Sequence, residues 1–254
     1  MKTIWKGSIS FGLVNIPIKL YSAIEERGIK MKLLYKKDLS PIRYKRWSDK
    51  NSKEIAWEDI VKGVEIDEDE FIVITKAELE AIKPEKSKAI DIVEFVVAQQ
   101  IDPIYFNAHY YIAPEKPKEK SFFLLKEVLS QTGKMAIGQF VMREKMYTCA
   151  IESYREGLLL TTLNYGYEIK DVSKIEELQK KPKLSKQELE LAKQLIDKIS
   201  VKNFNINDFK DTFHESLMKV IKKKEKGQTI TIHKKEAPKV KQENLIAALK
   251  ASLK

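Results

Sequence analysis

Cysteine, histidine, glycine and proline are all scarce in this chain, with one Cys, three His, nine Gly and eight Pro among 254 residues. The lone thiol, Cys149, excludes an internal disulfide framework and suits a reducing compartment. It falls within an alternating apolar run and reads as a small buried hydrophobe rather than a nucleophile. His109, His214 and His233 are too dispersed to suggest a triad. His214-Glu215-Ser216-Leu217-Met218 opens like a metalloprotease helix but ends in Met, so two imidazoles cannot share one helix face. Thr132-Gly133-Lys134-Met135 lacks the upstream glycine and the following Ser or Thr of a phosphate-binding loop, and reads as a helix end. The acidic run Glu65 to Glu70 is interrupted by Ile66 and reads as a solvated turn before a strand. The expectation is therefore a chain with no catalytic residue, no metal and no cofactor. No apolar run approaches the ~18 residues of a membrane span. Nor does a signal-like stretch follow Met1-Lys2-Thr3, so a cytoplasmic protein with no membrane partner is expected.

What the chain has is charge, unevenly spread. Residues 1–50 carry 12 basic and 4 acidic side chains, residues 51–221 carry 25 and 30, and residues 222–254 carry 10 and 3. The two ends thus hold the +10 net charge, over a middle of the opposite sign. Segregation of this kind suits a surface meeting a polyanion, either nucleic acid or an anionic membrane. With 43% hydrophobic positions the chain has enough apolar side chain for one large or two small domains.

Periodicity gives the outline. Ile9, Phe11 and Leu13 alternate with small residues, a turn is expected at Asn15 to Pro17, and Ile18 and Leu20 follow. Further strands are expected at Phe71 to Thr75, at Ile90 to Val97 (apolar enough for burial on both faces) and at Tyr110 to Ala113. Met135 to Met142, Tyr147 to Tyr154 and Leu158 to Leu163 form a meander joined by Arg143-Glu144-Lys145 and Arg155-Glu156-Gly157. Together these predict a closed or nearly closed barrel. Ser121 to Gln131 reads as a helix ending at Gly133. From Ser185 the period becomes helical, with a capping box to Glu188. Leu189, Ala192, Leu195, Ile196 and Ile199 make one apolar stripe. Phe209, Phe213, Leu217, Val220 and Ile221 make a second, on a helix expected from about Asn207.

Sequence-independent binding of duplex DNA needs cations spaced along a phosphate path rather than side chains that read base edges. Lys30, Lys32, Lys36, Lys37, Arg43, Lys45 and Arg46 supply such a series. They are interleaved with Leu34, Tyr35, Ile42, Tyr44 and Trp47, which are expected to anchor a ribbon whose basic groups face outward. Beyond residue 226 the chain reads as a basic linker, followed by a short helix from Glu243 with Leu245, Ile246, Leu249 and Leu253 on one face. So short a helix is marginal alone and should dock on something, either its own body or a partner.

Several stretches carry a resemblance: IWKGSISFGLVNIPIKLYSAI at Ile4 to Ile24, RYKR at Arg43 to Arg46, EDIVKG at Glu58 to Gly63, IDPIYF at Ile101 to Phe106, YYIAP at Tyr110 to Pro114 and ELELAKQLID at Glu188 to Asp197. In this order they closely resemble prokaryotic Ku, the DNA-end-binding protein of non-homologous end joining. That resemblance implies a mixed β and α fold, with a Ku-type β-barrel core over 1–182, a DNA-bridging insertion at about 36–62, a helical dimerisation arm over 183–226, and a linker and terminal helix over 227–254. It implies a homodimeric ring threaded onto double-stranded DNA ends, and so a nucleoid-associated protein. Lys36, Lys37, Arg43, Lys45 and Arg46 become the foremost phosphate contacts. The terminal ALKASL at Ala248 to Leu253 resembles the family segment associated with engaging the ATP-dependent DNA ligase of the pathway. The other reading is a general nucleic-acid-binding barrel without end specificity, for which Tyr44 and Trp47 are candidate stacking positions.

Overall fold

The computed structural model describes residues 1–82, 88–117, 119–228 and 245–253. Its contacts divide the chain into two units, one of residues 1–27 and 31–170, the other of residues 28–30 and 171–254.

Alternation of apolar and polar side chains builds the first unit. Seven strands, β1 (Thr3–Phe11), β2 (Val14–Ser22), β7 (Ala89–Val97), β8 (Phe106–Pro114), β9 (Lys134–Met142), β10 (Lys145–Tyr154) and β11 (Gly157–Leu163), close into a barrel in the order β1-β2-β8-β11-β10-β9-β7. Every neighbouring pair is antiparallel except β7 with β1, which pair in parallel over only Ser8–Ser10 and Ala89–Asp91. Ile9, Ile16, Ile18, Leu20, Ile112, Phe140, Cys149, Ile151, Leu158 and Leu160 fill the interior. Burial pushes the Cys149 thiol up to about 12, so it stays protonated and inert near neutrality. The inward Thr162 is buried too, and its hydroxyl accepts from the Ala108 N–H at 3.1 Å where β11 and β8 bulge.

Two glycines let the backbone close up on either side of β7, Gly7 towards β1 and Gly138 in β9. Gly7 lies against the start of the short parallel pairing, where Ser8 N–H donates to the Lys88 carbonyl at 2.8 Å. A Cβ on Gly7 would overlap both that carbonyl oxygen and the Trp5 indole. The vacated space lets Trp5 donate from Nε1 to the Val141 carbonyl at 3.1 Å and meet Phe140 edge-on at 5.7 Å. At Gly138, a Cβ would come within 2.7 Å of the Asp91 carbonyl oxygen. The helix α2 (Lys120–Thr132) adds Phe122, Leu125 and Leu129 to the same core and ends on left-handed Gly133.

Three expectations are corrected. The first turn lies at Gly12–Leu13, not Asn15 to Pro17: Gly12 adopts φ 55°, and Asn15 pairs with Ser10 inside β2. Pro17 is tolerated there at the end of the β2–β8 pairing: its carbonyl still accepts from Glu115 N–H at 3.0 Å, and Lys19 Nζ donates to the Glu115 carbonyl at 3.1 Å where no N–H from residue 17 can. In β7, Ile90 is the one fully buried residue and Val93 is 74% exposed. A bulge after Ile92 and the loss of the β1 partner beyond Asp91 turn its second half outward. In the second unit the later helix begins at Thr212 rather than near Asn207, because the Asp211 carboxylate accepts from His214 N–H at 2.8 Å and caps it.

That second unit holds α3 (Lys186–Ile199), α4 (Thr212–Glu225) and α5 (Leu245–Leu253). The Ser185/Glu188 capping box forms as expected, and the Ser185 hydroxyl holds the Glu188 carboxyl below its ordinary value. Neither α3 nor α4 buries a single residue. Ile196, Ile199, Val201, Phe204, Phe209 and Phe213 are all at least 60% exposed. Amphipathic helices without a core are an interaction surface in waiting. Residues 229–244, which include most of the predicted basic linker, lie outside the described residues. Among the described residues no helix is long and apolar enough to cross a membrane.

Candidate nucleic-acid interface

Between β2 and β7, the strands that flank β1 in the barrel, the chain makes a long excursion. It begins with a hairpin fastened by a bridge between Leu34 and Pro41, with Tyr35 N–H donating to Ser40 at 2.8 Å and Ile42 N–H to Leu33 at 3.1 Å. Lys36 and Lys37 are at its tip. Asp38, the one acid there, accepts from Ser40 N–H at 2.9 Å, and these contacts hold its carboxyl below the ordinary value.

Next come two ribbons, β3 (Trp47–Ser48) with β4 (Lys53–Glu54), and β5 (Lys62–Asp67) with β6 (Glu70–Ile74), followed by α1 (Lys76–Ala81). The acidic run read as a turn is mostly strand: Glu65 to Asp67 end β5 and Glu70 begins β6, so only Glu68 and Asp69, the latter at φ 60°, turn the second ribbon. No cluster of three metal-ligating side chains occurs among the described residues. In the first ribbon Ile55 N–H donates to the Arg46 carbonyl at 2.9 Å, and Arg46 Nε donates to the Ile55 carbonyl at 3.3 Å. The guanidinium of Arg46 lies 5.5 Å from the ring centre of Trp57. Lys45 Nζ is 3.0 Å from a Glu54 carboxylate oxygen. Both partners of that pair are substantially exposed, and such pairs contribute little, so a phosphate can displace Glu54 from Lys45.

The excursion is divided by charge. Residues 30–57 hold nine basic against three acidic side chains, whereas residues 58–74 hold one against seven. A groove of about 620 Å³ at the root is lined in part by Trp57, Ile60 and Leu79, with Glu58, Glu80 and Glu144 alongside Lys62 and Lys76, so its charge is mixed rather than a run of cations. Of the seven cations singled out from sequence, Lys32, Lys36, Lys37, Arg43, Lys45 and Arg46 fall in the barrel unit, and Lys30 groups with the other unit. Sequence reading stopped short of Lys50 and Lys53. Lys53 faces Ser48 across the first ribbon, a neighbour that only strand pairing supplies.

The expected apolar anchoring does not occur within the chain. Leu34, Tyr35, Ile42, Tyr44 and Trp47 are between 45% and 85% exposed. A lone two-stranded hairpin has no second layer to bury them against, so within the chain they stay uncovered.

Of the four residues picked on the terminal helix, Ile246, Leu249 and Leu253 are half-buried and Leu245 is exposed. The helix rests on α3, where Leu191, Ala192 and Leu195 are half-buried, and Lys198 Nζ donates to the Leu253 carbonyl at 2.7 Å. In the single chain, α5 is docked on its own body.

Residues 10–191 match the family model for the Ku70/Ku80 beta-barrel domain. The chain belongs to the Ku family. Curated Ku relatives extend the likeness over the whole length, each named "Non-homologous end joining protein Ku". The one from Archaeoglobus fulgidus is 38% identical, over all of this chain and 98% of its own length. The one from Lachnoclostridium phytofermentans is 39% identical over 98% of this chain and 95% of itself. That from Bacillus subtilis is 36% identical over all of this chain and 82% of itself. The Ku barrel is thus the closed seven-stranded body described above, and the excursion, the arm and the terminal segment all lie within the length shared with these relatives.

Proposed function

We propose that this Ku-family chain binds the ends of double-stranded DNA in non-homologous end joining, as a ring-shaped homodimer without sequence preference and without catalytic chemistry of its own. The observation that carries this reading is the likeness, over the full chain, to proteins named for that pathway, joined to a basic excursion that springs from the barrel. Lys32, Lys36, Lys37, Arg43, Lys45 and Arg46, with Lys30, are the proposed phosphate contacts, and residues 36–62 the bridge over the duplex. The uncovered apolar side chains of the excursion and of residues 183–226 are what a second copy would cover. A closed ring selects ends by topology, because it can thread only onto a free terminus.

In this reading the terminal helix recruits an ATP-dependent DNA ligase. Its apolar face rests on α3 in the single chain, so the ligase must either displace it or bind the α3–α5 pair together.

Each cation that neutralises a phosphate releases counterions, with a logarithmic salt slope of about −0.9 per contact. With a set of cations from each of two copies, affinity for a blunt duplex is expected to fall with a slope steeper than about −5. Titrations at several salt concentrations measure it, and a slope near zero would rule out a phosphate-dominated interface. The observation favouring a second reading, a general nucleic-acid-binding barrel, is the exposure of Tyr44 (85%) and Trp47 (58%). Tighter binding of single strands than of duplex would favour it.

A further inference from the structure

Past Asp91 the barrel has an open edge. The β1 strand turns back at Gly12–Leu13, so its pairing with β7 ends at Ser10 opposite Asp91. The β7 strand runs on to Val97 paired with β9 alone. Val97 N–H donates to Gln100 Oε1 at 3.0 Å and so faces away from β9. In an antiparallel ladder, residues facing the partner alternate with residues facing away, so Phe95 turns its N–H and C=O to the same open side. Phe95 is 42% exposed, and Val93, which the bulge leaves without a partner in β9, is 74% exposed. Phe11 meets Phe95 edge-on at 6.1 Å and steadies this half of the strand. An open edge beside exposed apolar side chains is a template for another strand.

Two hollows lie along the same strand. One, of about 210 Å³, is lined in part by Asp91, Val93, Val141 and Met146. The other, of about 380 Å³, is lined in part by Glu94, Val96, Ile137 and Leu163. Each joins an apolar floor to one carboxylate, and neither lining holds a cation, the wrong sign for a phosphate. Asp91 and Glu94 are three residues apart, about 10 Å along a strand. Glu94 and Val96 project to the face opposite Phe95, because strand side chains alternate. We infer that the open edge of β7 accepts an extended segment of a partner protein in which basic and apolar side chains alternate. The segment pairs its backbone with Phe95. Its lysine or arginine stems pack on the floors of the hollows, with their charged ends at Asp91 and Glu94, and its apolar side chains cover Phe95 from the other face. This contact lies outside the proposed phosphate path and does not depend on the end-binding reading.

The test uses the full chain and three labelled peptides: alternating valine and lysine, alternating valine and glutamate, and the first of these N-methylated along its backbone. The lysine peptide should bind about tenfold more tightly than the glutamate peptide, from two exposed charge contacts. Methylation should weaken it by about tenfold or more, because the backbone donors are lost. Asp91→Lys with Glu94→Lys should reverse the preference between lysine and glutamate peptides while leaving duplex affinity and solution mass unchanged. Equal binding of the methylated peptide, which needs no variant, would overturn the inference, since attraction would then be diffuse charge alone. An unreversed preference in the double variant, or no binding of any peptide, would also overturn it. A change in solution mass in that variant would assign the edge to a second copy of the chain and overturn it as well.

Discussion

Replacing Lys36, Lys37 and Arg43 together by glutamate is expected to lower affinity for blunt duplex ends by about 100-fold or more at physiological salt, because each lost phosphate contact counts once per copy in a dimer. The salt slope should become shallower by about one for every contact removed. Stability should barely move, because all three side chains are exposed and none belongs to the barrel core. Lys45 and Arg46 are the poorer first choice, since Glu54 and Trp57 already engage them and their loss would also disturb the ribbon. Anisotropy titrations at matched salt, with a melting curve for each variant, separate the two effects. Undiminished affinity in the triple variant would move the phosphate path away from the hairpin.

The largest effect on stability is expected at Gly7. Its alanine variant must put a methyl group where the Lys88 carbonyl oxygen and the Trp5 indole already lie, and the backbone oxygen cannot swing aside. Overpacking of this kind costs about 3 kcal/mol, or roughly 6–12 °C in a two-state domain of this size. The seam has little in reserve, because β1 and β7 share only three paired residues and Trp5 bonds Val141 across it. Gly28→Ala is the control: nothing lies within 4 Å of its added methyl, so its melting temperature should stay within about 2 °C of the wild type. Equal melting temperatures for the two variants would mean that the seam is not where the barrel is tight.

Much of the barrel is legible from alternation alone, and what is missed has local causes. The meander of β9, β10 and β11 stands out because apolar runs are separated by short charged turns. The first of those turns holds Arg143 and Glu144 at φ 52° and 68° without a glycine, which no composition rule announces. Asn15 to Pro17 imitates a turn and Gly12 hides the real one, since Pro17 sits inside β2 at the end of its pairing with β8, where its carbonyl is used and Lys19 replaces the missing N–H. The run from Ile90 to Val97 looks fit for burial on both faces, yet the composition of one strand cannot reveal that its neighbour stops at Asp91.

The candidate interface is legible in one dimension. Its cations form a run that any count finds, whereas the partners that modify them come from ribbon pairing: Glu54 for Lys45, Ile55 and Trp57 for Arg46. The excursion also shows why apolar interleaving misleads. Leu34, Tyr35 and Ile42 have the spacing of a buried face and no layer in their own chain to bury against. The short ribbons around them are too small for hydrophobic periodicity to register, and of these strands only β6 is foreshadowed. The arm behaves alike: α5 covers α3 at Leu191, which the predicted stripe omits, and at Ala192 and Leu195, while Ile196 and Ile199 stay exposed and Phe209 falls before α4 begins.

End selection by threading is the central claim, and the most direct measurement compares binding of the purified protein to linear DNA and to a covalently closed circle of the same sequence, at the same moderate salt. A ring predicts retention on the linear form alone, with binding to the circle appearing once it is cut. Equal retention on both forms would contradict the ring and leave surface attachment through the basic excursion in its place.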